Sequence, residues 1–329
     1  MNILFDKFSK FIEDNKLLER REKVILGISG GPDSVFLFHM LVEFSKNNRN
    51  LIVAAHFNHQ LRSESDQEEE FVRTLCETHN VRFVSDTKDV RKFFKGDSLE
   101  QTARNLRLDF FLKVSRKLKI KKVALAHHKD DLIETVLLRL VRGSGLLGLR
   151  GLLPIRRYKK ILLIRPLLFI EKKDILKALK QNNLKYVLDK SNFQDKFLRN
   201  KIRLHLMPSI LKVSPSFKEN VYSLSKNISW DYDFIYEQAR IIQQNAIVLQ
   251  QPHFVELNSR KMSGIHRSLL NNLIRITIEQ VKGSLRRIES KHIEDIVGLL
   301  EDMPVGSVVD IPLVKIVKKP NSLLFKRII

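Results

Sequence analysis

"KVILGISGGPDSVFLFHMLVEFSK", residues 23–46, is the stretch on which the fold turns. It opens with a short β-rich run, passes through a glycine loop, and continues as a helix-spaced apolar pattern. That order sets the loop at the end of a strand and at the N-terminus of a helix. The orphan N–H groups and the dipole of a helix start favour an anion without a lysine. No Gly-Lys-Ser or Gly-Lys-Thr occurs in the chain, so the loop lacks the cation of the commonest phosphate cradle. Gly30 and Gly31 let the backbone approach phosphate oxygens, and Ser29 and Ser34 add hydroxyl donors. Asp33 would repel phosphate directly, so its charge suits a magnesium ion or a ribose. A bare tight turn is the competing reading.

The pattern outward from the loop repeats strand and helix. "LIVAAHFNH" (51–59), "VRFVSD" (81–86) and "KKVALAHH" (121–128) read as strands, and residues 66–80, 99–119 and 130–142 read as helices. Ser98 and Gln101 have the spacing of a capping box for the helix at 99–119. Alternation of this kind predicts a parallel α/β sheet with ligands at the C-terminal strand ends. The glycine loop and "HHKDD" (127–131) both fall there. Beyond "RPLL" (165–168) the pattern turns helical, and Pro208 with "SPS" (214–216) marks a boundary. The reading is therefore a catalytic α/β domain over 1–215 and a smaller, mainly helical domain over 216–329. The latter carries helices near 217–247, 259–281 and 289–301, then a terminal β hairpin.

Composition limits the rest. The 329 residues carry a net charge of +22, and the excess is local. Residues 1–100 are net −2, residues 101–217 net +20, and residues 218–329 net +4. A solvated lysine-rich face would account for such a middle third. A phosphodiester partner accounts for it better, because clustered Lys and Arg bind nucleic acid by releasing counterions. Cys76 is the only cysteine, which excludes an internal disulfide and a cysteine-built zinc site. The start of the chain, with Leu4, Phe8, Phe11 and Ile12 at helical spacing, reads as an amphipathic helix and not a signal peptide. "ILLI" and "PLLFI" are interrupted by Arg165, and no run approaches a membrane span. A cytoplasmic protein with no membrane or protein partner is expected.

"SGGPDS" after a strand resembles the SGGxDS signature of the PP-loop, or N-type ATP pyrophosphatase, enzymes. These split ATP between the α and β phosphates, leaving an adenylated substrate and pyrophosphate. "HFNHQLRSESDQEEEFV" (56–72), "EQTARNLRLDFF" (100–111), "AHHKDDLIETVLLRLVRGSG" (126–145) and "RNKIRLHLMP" (199–208) narrow the likeness. In order and spacing they resemble the tRNA(Ile)-lysidine synthase family, over roughly residues 20 to 210. "GSLRRIESKHIEDI" (283–296) and "VVDIPL" are similar to that family's first C-terminal domain; the further domain of longer members is expected to be absent. Leu108-Asp109 departs from the aromatic that follows the arginine in the family pattern.

The resemblance implies a PP-loop, adenine nucleotide α hydrolase-like fold. It implies an ATP- and Mg2+-dependent ligase that joins L-lysine to C2 of the wobble cytidine of tRNA(Ile) with a CAU anticodon. Ser29, Gly30, Gly31, Pro32, Asp33, Ser34, His56 and Asn58 would then bind ATP. Asp33, Arg104, His127, Asp131 and Glu134 would be catalytic, and Asp130, Asp131 and Glu134 would bind lysine. Arg139, Arg142, Arg199, Asn200 and Arg203 would meet tRNA. The chemistry explains the residue types. Attack on the α-phosphate needs positive charge around the phosphates, and the lysine amine, with a pKa of about 10.4, must lose a proton before it attacks. Three acids within little more than a helical turn can hold an ammonium group, act as base or ligate magnesium; the sequence does not assign these tasks. Asp130 and Glu134 are i, i+4 neighbours.

Each feature has a plainer counterpart. Acids in a first turn can be simple dipole partners. His127-His128 beside two aspartates could ligate a metal, but no further ligand has helpful spacing. His56 and His59 could be ordinary strand-end residues. "GSGLLG" (143–148) is a literal G-x-G-x-x-G that follows a helix, so it fails the dinucleotide context and reads as a loop near the site. Two rival functions stand beside the main one. Another PP-loop tRNA-modifying enzyme of the sulfur-transferring kind would need a cysteine pair, which Cys76 cannot supply. A non-catalytic RNA-binding protein with a relic loop would not need Asp33, Arg104, Asp131 and Glu134 intact.

Overall fold

Val24, Ile25 and Leu26 are fully buried at the centre of β1 (Lys23–Gly27), and their alternation serves both faces of one sheet. Val24 and Leu26 join a core with Phe36, Phe38 and Met40 of α2 (Pro32–Asn48), whereas Ile25 joins Phe110 and Phe111 of α4 (Leu99–Leu118) on the other face. The computed structural model describes residues 2–61, 64–94, 96, 98–187 and 198–328.

β1 lies between β2 (Leu51–Asn58) and β4 (Lys122–Ala124), parallel to both. The sheet order is β3-β2-β1-β4-β6-β5, with β3 at Arg82–Thr87, β5 at Ile155–Tyr158 and β6 at Ile161–Ile164. Only β5 runs antiparallel, along the edge. Chain order reverses direction across β1 and β4, so the crevice outside their carboxyl ends is the ligand position of a doubly wound sheet. Gly27 closes β1 beneath that crevice. A Cβ there would stand 2.8 Å from the Phe111 ring, so only glycine lets α4 pack this close to the strand.

α1 (Asn2–Asp14) packs on α2, α3 (Ser65–Thr78) packs on β2 and β3, and Cys76 is fully buried in α3. Ser98 accepts a hydrogen bond from the Gln101 N–H (3.1 Å) at the start of α4, but the Gln101 side chain turns to Asn105 (2.8 Å). The capping box is thus half formed. α5 (Lys129–Val141) leads to the single-turn α6 (Leu146–Leu149), which is the whole of the helix that "GSGLLG" opens. α7 (Lys172–Gln181) follows β6. α8 (Leu198–Lys201) and α9 (Met207–Val213) are joined through a π turn at Ile202–Leu206. Pro208 accounts for the wide turn, since it has no N–H and its ring crowds the carbonyl four residues back. The Met207 N–H instead reaches the Ile202 carbonyl, five residues back.

The chain forms two compact units, Met1–Ser225 and Lys226–Ile329. The division falls within α10 (Phe217–Ala246), where no change of composition signals it. The second unit holds an antiparallel sheet of order β7-β8-β11-β10-β9. The terminal hairpin, β10 (Val314–Lys319) with β11 (Ser322–Arg327), is extended on one side by β9 (Val308–Ile311) and on the other by β8 (Phe254–Asn258) and β7 (Ile247–Gln251). α11 (Arg267–Lys282) and α12 (Ser290–Glu301) contribute Ile274 and Ile296 to its core, against Leu257, Ile316 and Phe325. No described helix is long and apolar enough to cross a membrane.

Candidate active site

The glycine loop is held by its own hydroxyls. Ser34 Oγ donates to the Gly31 carbonyl (2.9 Å) and accepts from the Ser29 N–H (3.2 Å). The Gly31 N–H leans on Ser29 Oγ (3.4 Å). Gly30 adopts φ +85°, a conformation that suits glycine, and its carbonyl accepts from the Val187 N–H (3.0 Å). Gly31 caps α2 with extended backbone, Pro32 follows it, and no side chain caps that helix start. The donors of the first turn are left to a ligand.

A cavity of about 690 Å³ opens at this loop. Ser29, Gly31, Asp33 and Ser34 line it together with His56 and Asn58 from β2, Arg104 and Arg107 from α4, His127, Asp131, Arg199 and Asn200. The structure thus brings together most of the residues singled out in the sequence. Gly30, Pro32, Asp130, Glu134, Arg139, Arg142 and Arg203 do not line the cavity. His56 Nδ1 bonds the Ile28 carbonyl (3.0 Å), and its buried Nε2 has no protein partner. Burial lowers the pKa of that ring and keeps it neutral. Asn58 is buried, donating to Asp66 (2.8 Å) and accepting from the Gln60 N–H (3.0 Å).

One side of the cavity is crowded with guanidinium groups. Burial, then Arg104, brings Arg107 down to about 10, and its Nε has no partner. Arg104 is lowered by burial and by Arg156 and Arg199. Arg165 is fully buried and brought to about 10 by burial and then by Arg156, Arg104 and Arg139; its Nη1 donates to the Leu153 carbonyl (2.5 Å). His127 sits among these charges. Burial, reinforced by Arg165, Arg107 and Arg104 against Asp131, lowers it to about 3. Its ring is therefore uncharged at neutral pH in the ligand-free protein.

The three acids of α5 part company. Asp131 opens on the cavity, accepting from the His128 N–H (3.0 Å) and from Arg199 Nη2 (2.8 Å). Burial works against its charge, but His128 and Arg199 outweigh it and lower the pKa. Asp130 turns away to Lys218 Nζ (2.5 Å) and the Lys172 N–H (2.7 Å). Despite burial, His128 and Lys218 hold it well below the usual carboxylate range. Glu134 is 3% exposed and fully engaged: Arg203 Nε (2.6 Å) and Nη2 (2.9 Å) grip both oxygens, and Arg199 Nε adds a third bond (2.9 Å). The i, i+4 pairing of Asp130 with Glu134 therefore does not build one site. Asp131 and Glu134, three apart, are joined instead, because Arg199 bridges them.

His128 is ringed by acids, with Asp130 and Asp131 at 3.5 Å and Asp33 at 3.8 Å. Burial depresses it, yet these carboxylates together raise its pKa. Arg139 does not reach outward; its Nη1 clamps the Gly148 (2.6 Å) and Gly151 (3.0 Å) carbonyls, while Arg142 is exposed.

Glu134 yields a stability prediction. Removing one member of a buried pair leaves charge uncompensated, at about 3–5 kcal/mol when the remainder is fully buried. Arg199 and Arg203 keep 34% and 38% side-chain exposure, so water offsets part of that. Glu134→Ala is expected to cost about 2–3 kcal/mol, or roughly 5–10 °C in melting temperature. A melting temperature within 1 °C of the unaltered protein, by calorimetry, would show that the cluster adds nothing.

Sequence reasoning missed Arg107, Arg165, Lys172 and Lys218. Arg165 did carry a signal, since a charge between two apolar runs must be buried with them. The lysines carried none: Lys172 is one of many cations in the basic third, and Lys218 lies just beyond it.

A PP-loop domain family matches residues 2–210. A tRNA(Ile)-lysidine synthase from Clostridioides difficile is 33% identical over 94% of this chain and 67% of its own length. One from Petrotoga mobilis is 39% identical over 69% of this chain and 72% of its own. The chain belongs to the tRNA(Ile)-lysidine synthase family. A solved U34-tRNA thiolase from Methanococcus maripaludis shares the fold, with TM-score 0.57 and 18% identity over 68% of this chain and 78% of that one. In this lysidine synthase family member, the matched region ends at residue 210 and so takes in the loop, Arg104, the α5 acids and both arginines of the Glu134 clamp. Its PP-loop domain is an ATP-utilising one.

Proposed function

We propose that this chain joins L-lysine to C2 of the wobble cytidine of CAU-anticodon tRNA(Ile), and that the cavity at the glycine loop does both chemical steps. The observation that carries this is one cavity lined at once by the loop, by Arg104 and by Asp131. A site for phosphates and a site for an ammonium group open on the same space. In the first step the cytosine O2 attacks the α-phosphate of ATP, the α–β bond breaks and pyrophosphate leaves. The loop donors and Arg104 stabilise the charge that gathers on the phosphate oxygens. In the second step the lysine side-chain nitrogen attacks C2, the C–O bond to the adenylate breaks and AMP leaves. Asp131 holds the ammonium and takes a proton from it before the nitrogen attacks.

Magnesium is a hard cation that usually takes one or two carboxylates plus phosphate oxygens. Asp33, at the loop, fits that demand, and no described group of three acids, histidines or cysteines could hold a metal alone. Bound there with ATP, the ion would neutralise phosphate charge. His56 Nε2, neutral and without a protein partner, is an acceptor free for the ATP base.

The test is labelled lysine: ATP-dependent incorporation into tRNA(Ile), with one AMP released per lysine, is expected. AMP release without lysine incorporation would favour another PP-loop tRNA-modifying activity, and neither would favour the relic RNA-binding reading. The +20 balance of residues 101–217 adds a second expectation. Binding to tRNA should fall by a factor of roughly 10² to 10³ between about 50 and 200 mM salt, as for a protein covering several phosphates. Fluorescence anisotropy with labelled tRNA measures this, and a flat salt profile would remove phosphate contacts from the account.

A further inference from the structure

A glycine loop with an aspartate and no lysine poses an electrostatic problem that the structure answers from elsewhere in the chain. Lys172 is the first residue of α7, and its Nζ lies 2.5 Å from Asp33 Oδ1. The two residues are 139 positions apart, so the contact is a product of the fold. The lysine is firmly placed. Its backbone N–H donates to Asp130 Oδ2 (2.7 Å), and Asp130 is anchored in turn by Lys218, which also bonds Glu171 (3.0 Å). The helix start is therefore fixed through the main chain, while the side chain, 33% exposed, keeps the freedom to move its ammonium by an ångström or two.

Lys172 also reaches Asp33 from a particular side. Asp33 lines the cavity and Lys172 does not, so the ammonium meets Asp33 from outside the lining of the space that must admit the cytidine. The α-phosphate has to face that space to be attacked. The other half of the triphosphate has to lie away from it, toward the N-terminus of α2 and the ammonium beside it.

We infer that Lys172 is the cation missing from the glycine loop, held on Asp33 in the ligand-free protein and transferred to the β and γ phosphates when ATP binds. This rests on the ATP reading of the loop and goes beyond it by assigning the pyrophosphate half to a residue outside the motif. The exchange is a balanced one. The ammonium trades a carboxylate for phosphate oxygens, and Asp33 loses a partner just as it gains a use for its charge. No covalent bond to Lys172 forms or breaks. The ammonium also stabilises pyrophosphate as it leaves.

Calorimetric titration of ATP, AMP and inorganic pyrophosphate into the full chain, in magnesium-containing buffer, tests the assignment. Lys172→Met leaves the backbone bond to Asp130 in place and removes only the ammonium. It is expected to weaken ATP and pyrophosphate by roughly 10- to 100-fold, the worth of a charge-assisted hydrogen bond, and to leave AMP within about twofold. Lys172→Arg should recover most of the loss. Equal weakening of ATP and AMP would make Lys172 a prop for Asp33 and overturn the inference, as would unchanged binding of all three. Unaltered protein that binds neither ATP nor pyrophosphate would overturn the ATP reading of the loop, and the inference with it.

Discussion

Asp33→Ala is expected to reduce tRNA-dependent AMP release at least 10³-fold while leaving the folded protein and its tRNA affinity nearly intact. The size of the effect follows from position. Asp33 is the carboxylate of the glycine loop, it lines the cavity, and it holds Lys172. Losing it removes the group best suited to a phosphate-bound magnesium ion and frees the ammonium at the same time. Removing one preorganised electrostatic group at a reacting centre typically costs roughly 10² to 10³, and Asp33 also sets Lys172 in place before ATP binds. Stability should change little. The side chain sits in the first turn of α2, where an acid is worth about 0.3–1 kcal/mol against the helix dipole, and Lys172 is exposed enough to be hydrated when released. Single-turnover assays with ATP labelled at the α position measure the step, with calorimetry and anisotropy alongside. Turnover within tenfold of the unaltered protein would take the loop out of the chemistry. A collapse in melting temperature would reduce Asp33 to a structural anchor.

The contrast between α2 and α5 shows what a sequence conveys about such a site. The loop was legible because all its working parts are local: strand, glycines, hydroxyls and helix start lie within one short run. The strands β1 to β4 were legible for a similar reason, each being a compact apolar run set off by a helix. β5 and β6 were not, because "ILLI" is too short to show a period and stands between charged residues. β7 was hidden too, since "IVLQQ" continues the apolar spacing of α10 without a break. The acids of α5 were found, and so were Arg199 and Arg203, but as tRNA contacts and not as partners of those acids. Lys218 comes to Asp130 from 88 residues away and Arg199 to Glu134 from 65. Nothing local decides which of three neighbouring carboxylates stays open to a ligand and which are consumed in ion pairs. That outcome depends on where α8, the π turn after it and α10 deliver their cations, and where α7 places its first N–H.

The same outcome makes the two chemical steps separable by mutation at Asp131. Of the α5 acids it alone lines the cavity, and its contacts with Arg199 and the His128 N–H leave the carboxylate aligned rather than enclosed. Asp131→Asn keeps the shape and an acceptor oxygen but removes the charge that would hold the lysine substrate's ammonium. Loss of a desolvated charge pair typically costs about 2–5 kcal/mol, a factor of roughly 30 to 5 × 10³. The variant should therefore still release pyrophosphate and build adenylated tRNA, because the loop, Lys172 and Arg104 are untouched. The second step should fail, as a lysine KM raised by at least about 30-fold or as adenylated tRNA that persists when lysine is supplied. Glu134→Gln provides the contrast. Glu134 is enclosed by Arg199 and Arg203, so its loss should lower melting temperature and slow both steps together, with no selective rise in lysine KM. Rapid-quench assays with labelled ATP, run with and without lysine, separate the cases. A block at adenylation in Asp131→Asn would move that carboxylate to the ATP side of the cavity. A lysine KM that rises only in Glu134→Gln would mean that the arginine clamp opens during turnover and that Glu134 is the lysine ligand.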